Sequence, residues 1–357
     1  MIFVPDNING TRDISKTTFF LTLFCLLALN FQIKSQIIEL NTVSNSIFEK
    51  YNIIFIGEQH NIDSNDRIEA LLVSKIKEKD TKVLLELGYD QNYLLNNFFV
   101  KKDTLTVNLF SNNMYGSKLS RVFYNSKITP KAIDVLTKED FTKDLVLALY
   151  SKKEEPMEVI NNIKEFSEIG MMKSPYVIKN MNKYDRFLEQ YAKNRELHMK
   201  FLGSDSVAIK EYFEALKATI ESDCDPNVKG IGFSDFREEF MYKMVKNEIE
   251  KSVPVKIISI NGSAHICLDP KAQDKRIKNK KWSPLAYKVK TNFPDKKVCS
   301  IYLLNIEKDL YFKKDHPEEL KYIQEHTDLN KYYLIRLDYK ESPFKNLVNM
   351  YTYIVVY

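Results

Sequence analysis

Two short apolar runs decide the architecture: Asn52-Ile-Ile-Phe-Ile-Gly57 and Thr81-Lys-Val-Leu-Leu-Glu86-Leu-Gly88. Continuous apolar residues closed by glycine are the signature of strands buried on both faces, as in a parallel sheet. Between them, Asp66 to Lys79 places Ile68, Leu71, Leu72 and Ile76 at helical spacing. Strand, helix and strand in so short a stretch make a right-handed βαβ unit. The crossover rule then predicts that Glu58, after the first strand, and Glu86, ending the second, are neighbours at one sheet edge.

Working outward, Lys127 to Asp134 is expected to be a third strand, although Pro130 interrupts it. Helical periodicity is expected over 139–150, 155–167, 180–203, 206–221 and 234–251. Pro254-Val-Lys-Ile-Ile-Ser-Ile260 returns to a strand and breaks at Asn261-Gly262. Further strands are expected at 297–305, 331–338 and 347–356. The expected fold is α/β: a mainly parallel central sheet flanked by helices, with a long helical insertion at about 90–230. Residues 36–357 read as a single α/β domain, because no repeat and no Gly/Ser-rich linker divides them.

The balance of the 357 residues, 44% hydrophobic and 28% charged, excludes a disordered chain and a polytopic membrane protein. A net charge of +5 over this length is too mild to indicate nucleic acid. The basic stretch Lys271 to Lys290, with the single tryptophan Trp282, reads as a solvated loop, so no nucleic-acid partner is expected.

Residues 1–35 read as a signal peptide. Arg12 and Lys16 precede the uncharged run from Thr18 to Phe31, which is too short to span a bilayer comfortably, and Ser35 offers a small residue for cleavage. An exported protein, periplasmic or secreted, is expected, with membrane contact only through this segment if it stays uncleaved. Beyond it Cys224, Cys267 and Cys299 remain, an odd number without a CxxC pair. That argues against a disulfide framework and a thiolate zinc site.

Chemistry is concentrated at three strand ends. Gly57-Glu58-Gln59-His60 follows the first strand, Glu86 closes the second, and Gly262-Ser263-Ala264-His265 follows the 254–260 strand. Parallel strands present their C-terminal ends on one side, where ligands bind. Two of the five histidines thus reach one rim by the same Gly-x-x-His device. Arg237 stands in the apolar stripe of a helix with Met241 and Met244, where a cation needs an anion: Glu58, Glu86 or a substrate. His198, His316 and His326 have no such company.

These residues, in this order, resemble the erythromycin esterase and ChaN-like superfamily, a wider group that takes in the Tiki and TraB proteins. The resemblance covers about residues 52 to 268: Glu58-Gln-His60, Leu84-Leu-Glu86, Arg237-Glu-Glu-Phe-Met241 with Asn247, and Asn261-Gly-Ser-Ala-His265. The first box matches the shorter GExH form, and Glu238 stands where the family usually has Asp. The resemblance implies a site at the sheet edge lined by Glu58, His60, Glu86, Arg237 and His265, and hydrolysis of an ester or amide bond in a small-molecule or peptide substrate. In the esterase version His60 activates water, Glu86 or Glu58 orients it, and Arg237 or His265 stabilises the oxyanion. In the Tiki-like version His60, Glu86 and His265 bind a divalent metal such as Mn, Fe, Co or Zn. ChaN-like relatives imply haem instead, and a binding protein rather than an enzyme.

The fate of the leader can be read directly by mass. The chain expressed in an exporting bacterial host should yield a mature protein whose intact mass begins at Gln36; a mass retaining the apolar run at 18–31 would show an anchor instead.

Overall fold

In the computed structural model, alternate residues of the strand after Asn52 point into two separate apolar layers. Ile53 and Phe55 enter one layer, while Ile54 and Ile56 enter the other. Residues 36–60, 62, 64–102, 117–135, 189, 192–196, 199–200, 203, 206–223, 235–251, 256–270, 283–338 and 343–357 are described. The signal segment, the expected helices at 139–150 and 155–167 and most of the one at 180–203, His198, Cys224 and Trp282 lie outside them.

The strands are β1 (Ile37–Glu39), β2 (Ile53–Glu58), β3 (Lys82–Gly88), β4 (Lys131–Asp134), β5 (Ile257–Gly262), β6 (Val298–Leu304), β7 (Tyr333–Arg336) and β8 (Tyr353–Val356). They form one sheet in the order β1-β7-β8-β6-β2-β5-β3-β4. The ladders from β8 through β4 are parallel, whereas β7 pairs antiparallel with both β8 and β1. The expected α/β sheet is therefore present and mainly parallel. One sequence expectation changes: β5 lies between β2 and β3. Glu58 and Glu86 consequently stand on strands two apart, because after β4 the chain returns to the gap between β2 and β3.

Among the described helices, α1 (Asn65–Ile76) and α2 (Ser117–Asn125) cover one face, and α4 (Asp235–Lys251) covers the other beyond α3 (Ser206–Asp223). From α1, Ile68, Leu72, Val73 and Ile76 meet Ile54, Ile56, Val83 and Leu85. From α4, Met241, Met244 and Val245 join Phe55, Leu84 and Ile133. Burying each such side chain contributes ~1.5–3 kcal/mol, against ~0–1 kcal/mol for an exposed ion pair, so the two apolar layers hold the sheet. Cys267 and Cys299 are buried among them, and burial pushes the Cys267 thiol up to about 12. None of the described helices is long and apolar enough to cross a membrane.

Side chains complete the sheet at two of its margins. At the β4 edge, the Asn92 side chain donates to the carbonyl of Ala132 and accepts from its amide, both at 2.9 Å. At the C-terminal edge, the turn Ser263–Ile266 folds back over β2, and Ile266 fills the space a side chain at Gly57 would need. Gly57→Ala should therefore destabilise by about 1–3 kcal/mol through overpacking. Urea unfolding should show Ile266→Ala in the same chain recovering part of that loss; independent, additive losses would sink the steric account.

Candidate functional site

Gly262, at the end of β5, has no side chain between β2 and β3, and the site is built across that gap. A Cβ on Gly262 would stand 2.7 Å from His60 Nε2 and 3.3 Å from Glu86 Oε2. His60 therefore lies over the end of β5 and reaches β3, with its Nε2 3.7 Å from Glu86 Oε1. On the ring's other side, Nδ1 is 3.3 Å from Glu58 Oε1. The two glycine turns are reciprocal: Ile266 packs over Gly57, and His60 packs over Gly262.

Glu86 is the hub. Its Oε2 accepts the backbone N–H of Gly262, and its Oε1 accepts Arg237 Nη2 at 2.5 Å. His265 Nε2 lies 3.3 Å from the same Oε1, while His265 Nδ1 bonds Glu238. Arg237 also grips Asp134, through Nε at 2.8 Å and Nη2 at 2.5 Å. The five residues expected from sequence, Glu58, His60, Glu86, Arg237 and His265, are brought together at one edge. Asp134 and Glu238 were not expected there. A carboxylate closing the Ala132-Ile133 run is the signal that Asp134 shares with Glu86. Glu238 is visible only as a buried acid one residue beyond Arg237, because α4 turns both toward the sheet. Asn247, two and a half turns further along α4, instead lines a cavity of about 350 Å³ between β3, β4, α3 and α4, with Tyr89, Glu211 and Met244.

Exposure separates the roles. The His60 side chain is 58% exposed, whereas His265 is 3% exposed and Glu238 fully buried. Hydrogen bonds to Glu58 and Glu86 push the His60 ring up to about 10, against a smaller effect of burial. Burial alone would lower His265, but Glu238 and Glu86 outweigh it and raise that ring to about 10. Burial works against ionised Glu86 as well, yet His265 and Arg237 hold its carboxyl well below the usual range. At neutral pH the centre is thus a carboxylate facing two imidazolium rings and a guanidinium. Taking one partner from such a buried pair costs ~3–5 kcal/mol, because the other charge is left uncompensated.

Three solved structures are similar to this chain. A histidine mutant of erythromycin esterase EreC in its open conformation matches with a TM-score of 0.56 at 15% identity, covering 87% of this chain and 91% of that one. A succinoglycan biosynthesis protein matches with a TM-score of 0.60 at 12% identity over 91% and 94% of the two chains. The chain has the erythromycin esterase fold. ChaN of Campylobacter jejuni, with cofacially bound haem, matches at a TM-score of 0.37 and 14% identity over 90% and 96%, too low a score to argue from. No family model matches the sequence, and no characterised protein matches it by sequence search. Glu58, Asp134 and Gly262 end their strands at the C-terminal edge of the sheet, and Glu86, expected to close its strand, stands two residues before the end of β3.

The expected metal set of His60, Glu86 and His265 does not fit this arrangement. Among the described residues no three His, Cys, Asp or Glu side chains are grouped to hold an ion. The physical reason is Arg237, whose guanidinium already takes the Glu86 oxygen that both histidines face.

The charge pattern sets a pH window. A ring whose pKa rises on folding contributes stability that is complete below its ordinary 6.5 and lost as pH climbs toward about 10. A carboxyl held low contributes above its ordinary 4.5 and loses that contribution as pH falls. Thermal melting should therefore be highest near pH 5–6.5 and fall toward pH 10. In His265→Gln the alkaline fall should shrink; an unchanged fall would remove His265 from the account.

Proposed function

We propose that this chain is an exported hydrolase that cleaves an ester or amide bond in a small molecule without a metal. One observation carries the reading: an exposed histidine, His60, is held between two carboxylates at the C-terminal sheet edge, one of them buried and fixed by Arg237. Similarity of fold to erythromycin esterase EreC supports the same reaction class. Export rests on the sequence of residues 1–35.

In this mechanism His60 is the group that exchanges protons with water and substrate, since its ring alone among the site's bases stands in solvent. Glu58 orients the ring through Nδ1 and favours the imidazolium formed when it takes a proton from water. Arg237 and His265 act differently from the resemblance's version. Their bonds go to carboxylates, so they hold Glu86 in place rather than receive an oxyanion. Protonated His60, facing open space, then serves as acid for the leaving group.

Because the His60 ring is pushed up to about 10, its basic form is scarce at neutral pH. With p-nitrophenyl acetate as probe, kcat/KM should keep rising with pH beyond 8 rather than level off near 7. Glu58→Gln should shift the rise to lower pH, toward the ordinary imidazole range. His60→Ala should lower turnover ~10²–10⁴-fold, and incubation with EDTA should leave the wild-type rate unchanged. Full turnover in His60→Ala would overturn the reading.

A further inference from the structure

We propose that Asn65 is a positioning residue for the Glu58–His60 pair, and that Tyr357 locks Asn65 in that task. The proposal rests on the reading of His60 as the proton-exchanging group and extends it to residues on α1 and after β8.

The geometry is complete around one buried amide. Asn65 is 4% exposed at the first position of α1. Its Nδ2 donates to Glu58 Oε2 at 3.1 Å and to the carbonyl of Gln59 at 2.6 Å. Its Oδ1 accepts the hydroxyl of Tyr357. Both amide hydrogens and the carbonyl are thus used by groups outside α1, and the donor and acceptor ends cannot exchange without losing the bonds to Glu58 and Gln59, whose oxygens only accept. The helix receives no side-chain cap from Ser64, so Asn65 is not standing in a capping role that its neighbour shares.

The effect on the site runs along these bonds. Glu58 has two oxygens: Asn65 holds Oε2, which leaves Oε1 aimed at His60 Nδ1. The second Asn65 hydrogen ties down the Gln59 carbonyl and with it the turn that carries His60 over Gly262. One amide therefore fixes both the carboxylate and the loop on which the imidazole rides. Charges around it favour a neutral amide. Glu58, Asp66 and Glu69 all face this corner, and burial together with Glu58 already holds the Glu69 carboxyl well above its usual range. The Tyr357 hydroxyl, also raised by burial and by Glu69 and Glu58, stays protonated and can donate only as a neutral group.

Ring titration by NMR on the full chain tests this without depending on any substrate, with His60→Asn assigning the signal. Wild-type His60 should titrate well above 6.5. In Asn65→Leu its midpoint should fall by about one unit or more, and in Tyr357→Phe it should fall less, because only the lock is removed. Turnover of p-nitrophenyl acetate should drop ~10–100-fold in Asn65→Leu with little change in KM. If either variant melts cooperatively and His60 titrates as in the wild type, Asn65 is only a structural residue and the proposal fails. Should Asn65→Leu not fold, Tyr357→Phe decides alone on the same criterion. A wild-type His60 midpoint near 6.5 would instead fell the reading of the site itself.

Discussion

The site depends on one buried carboxylate, Glu86, being held in ionised form. Its burial opposes ionisation, and three cations overcome that opposition from three different elements: Arg237 on α4, His265 after β5 and His60 after β2. Glu86 itself is on β3, so the charge ties together the ends of three strands and a helix. The pairing across β5 is possible only because Gly262 leaves the gap empty. A neutral group in place of Glu86 would leave Arg237 on Asp134 and His265 on Glu238, with no partner shared between them.

Much of this was legible in the sequence, for identifiable reasons. Buried parallel strands are continuous apolar runs, so β2, β3 and β5 stand out, and a carboxylate or a Gly-x-x-His element closing such a run is conspicuous. Arg237 was legible because a cation in an apolar helical stripe must meet an anion. Strand order was not. Nothing in the runs themselves records that β5 enters between β2 and β3, since that depends on a long-range return of the chain. The three-residue β1 also escaped, being short and set by pairing at the edge rather than by local pattern, and the strand expected at 331–338 is present as β7 but runs antiparallel, a direction its local pattern does not record. Glu238 escaped because an acid beside an arginine on a helix ordinarily faces water, and only the packing of α4 against the His265 turn buries it.

The same geometry explains why similar residues can serve different chemistry on this fold. Two histidines and a glutamate at one rim are a possible metal set, a possible haem contact or an acid–base site. The deciding residue is a fourth one, Arg237, because its guanidinium competes for the oxygen that a metal would need. Function on a common sheet rests on such site residues and not on the fold that carries them.

The Asn92 side chain bound to both backbone groups of Ala132 has a consequence for how the molecule meets others. The β4 edge is the open end of the sheet, where unpaired amides and carbonyls offer a template for another chain. Asn92 mimics one residue of a ninth strand and occupies that template at its midpoint. With β4 only four residues long, an incoming strand has no uninterrupted ladder to extend. That amide adds to the Pro130 before the strand and the charge of Lys131 on it, and together they guard the protein against edge-to-edge association beside its own site.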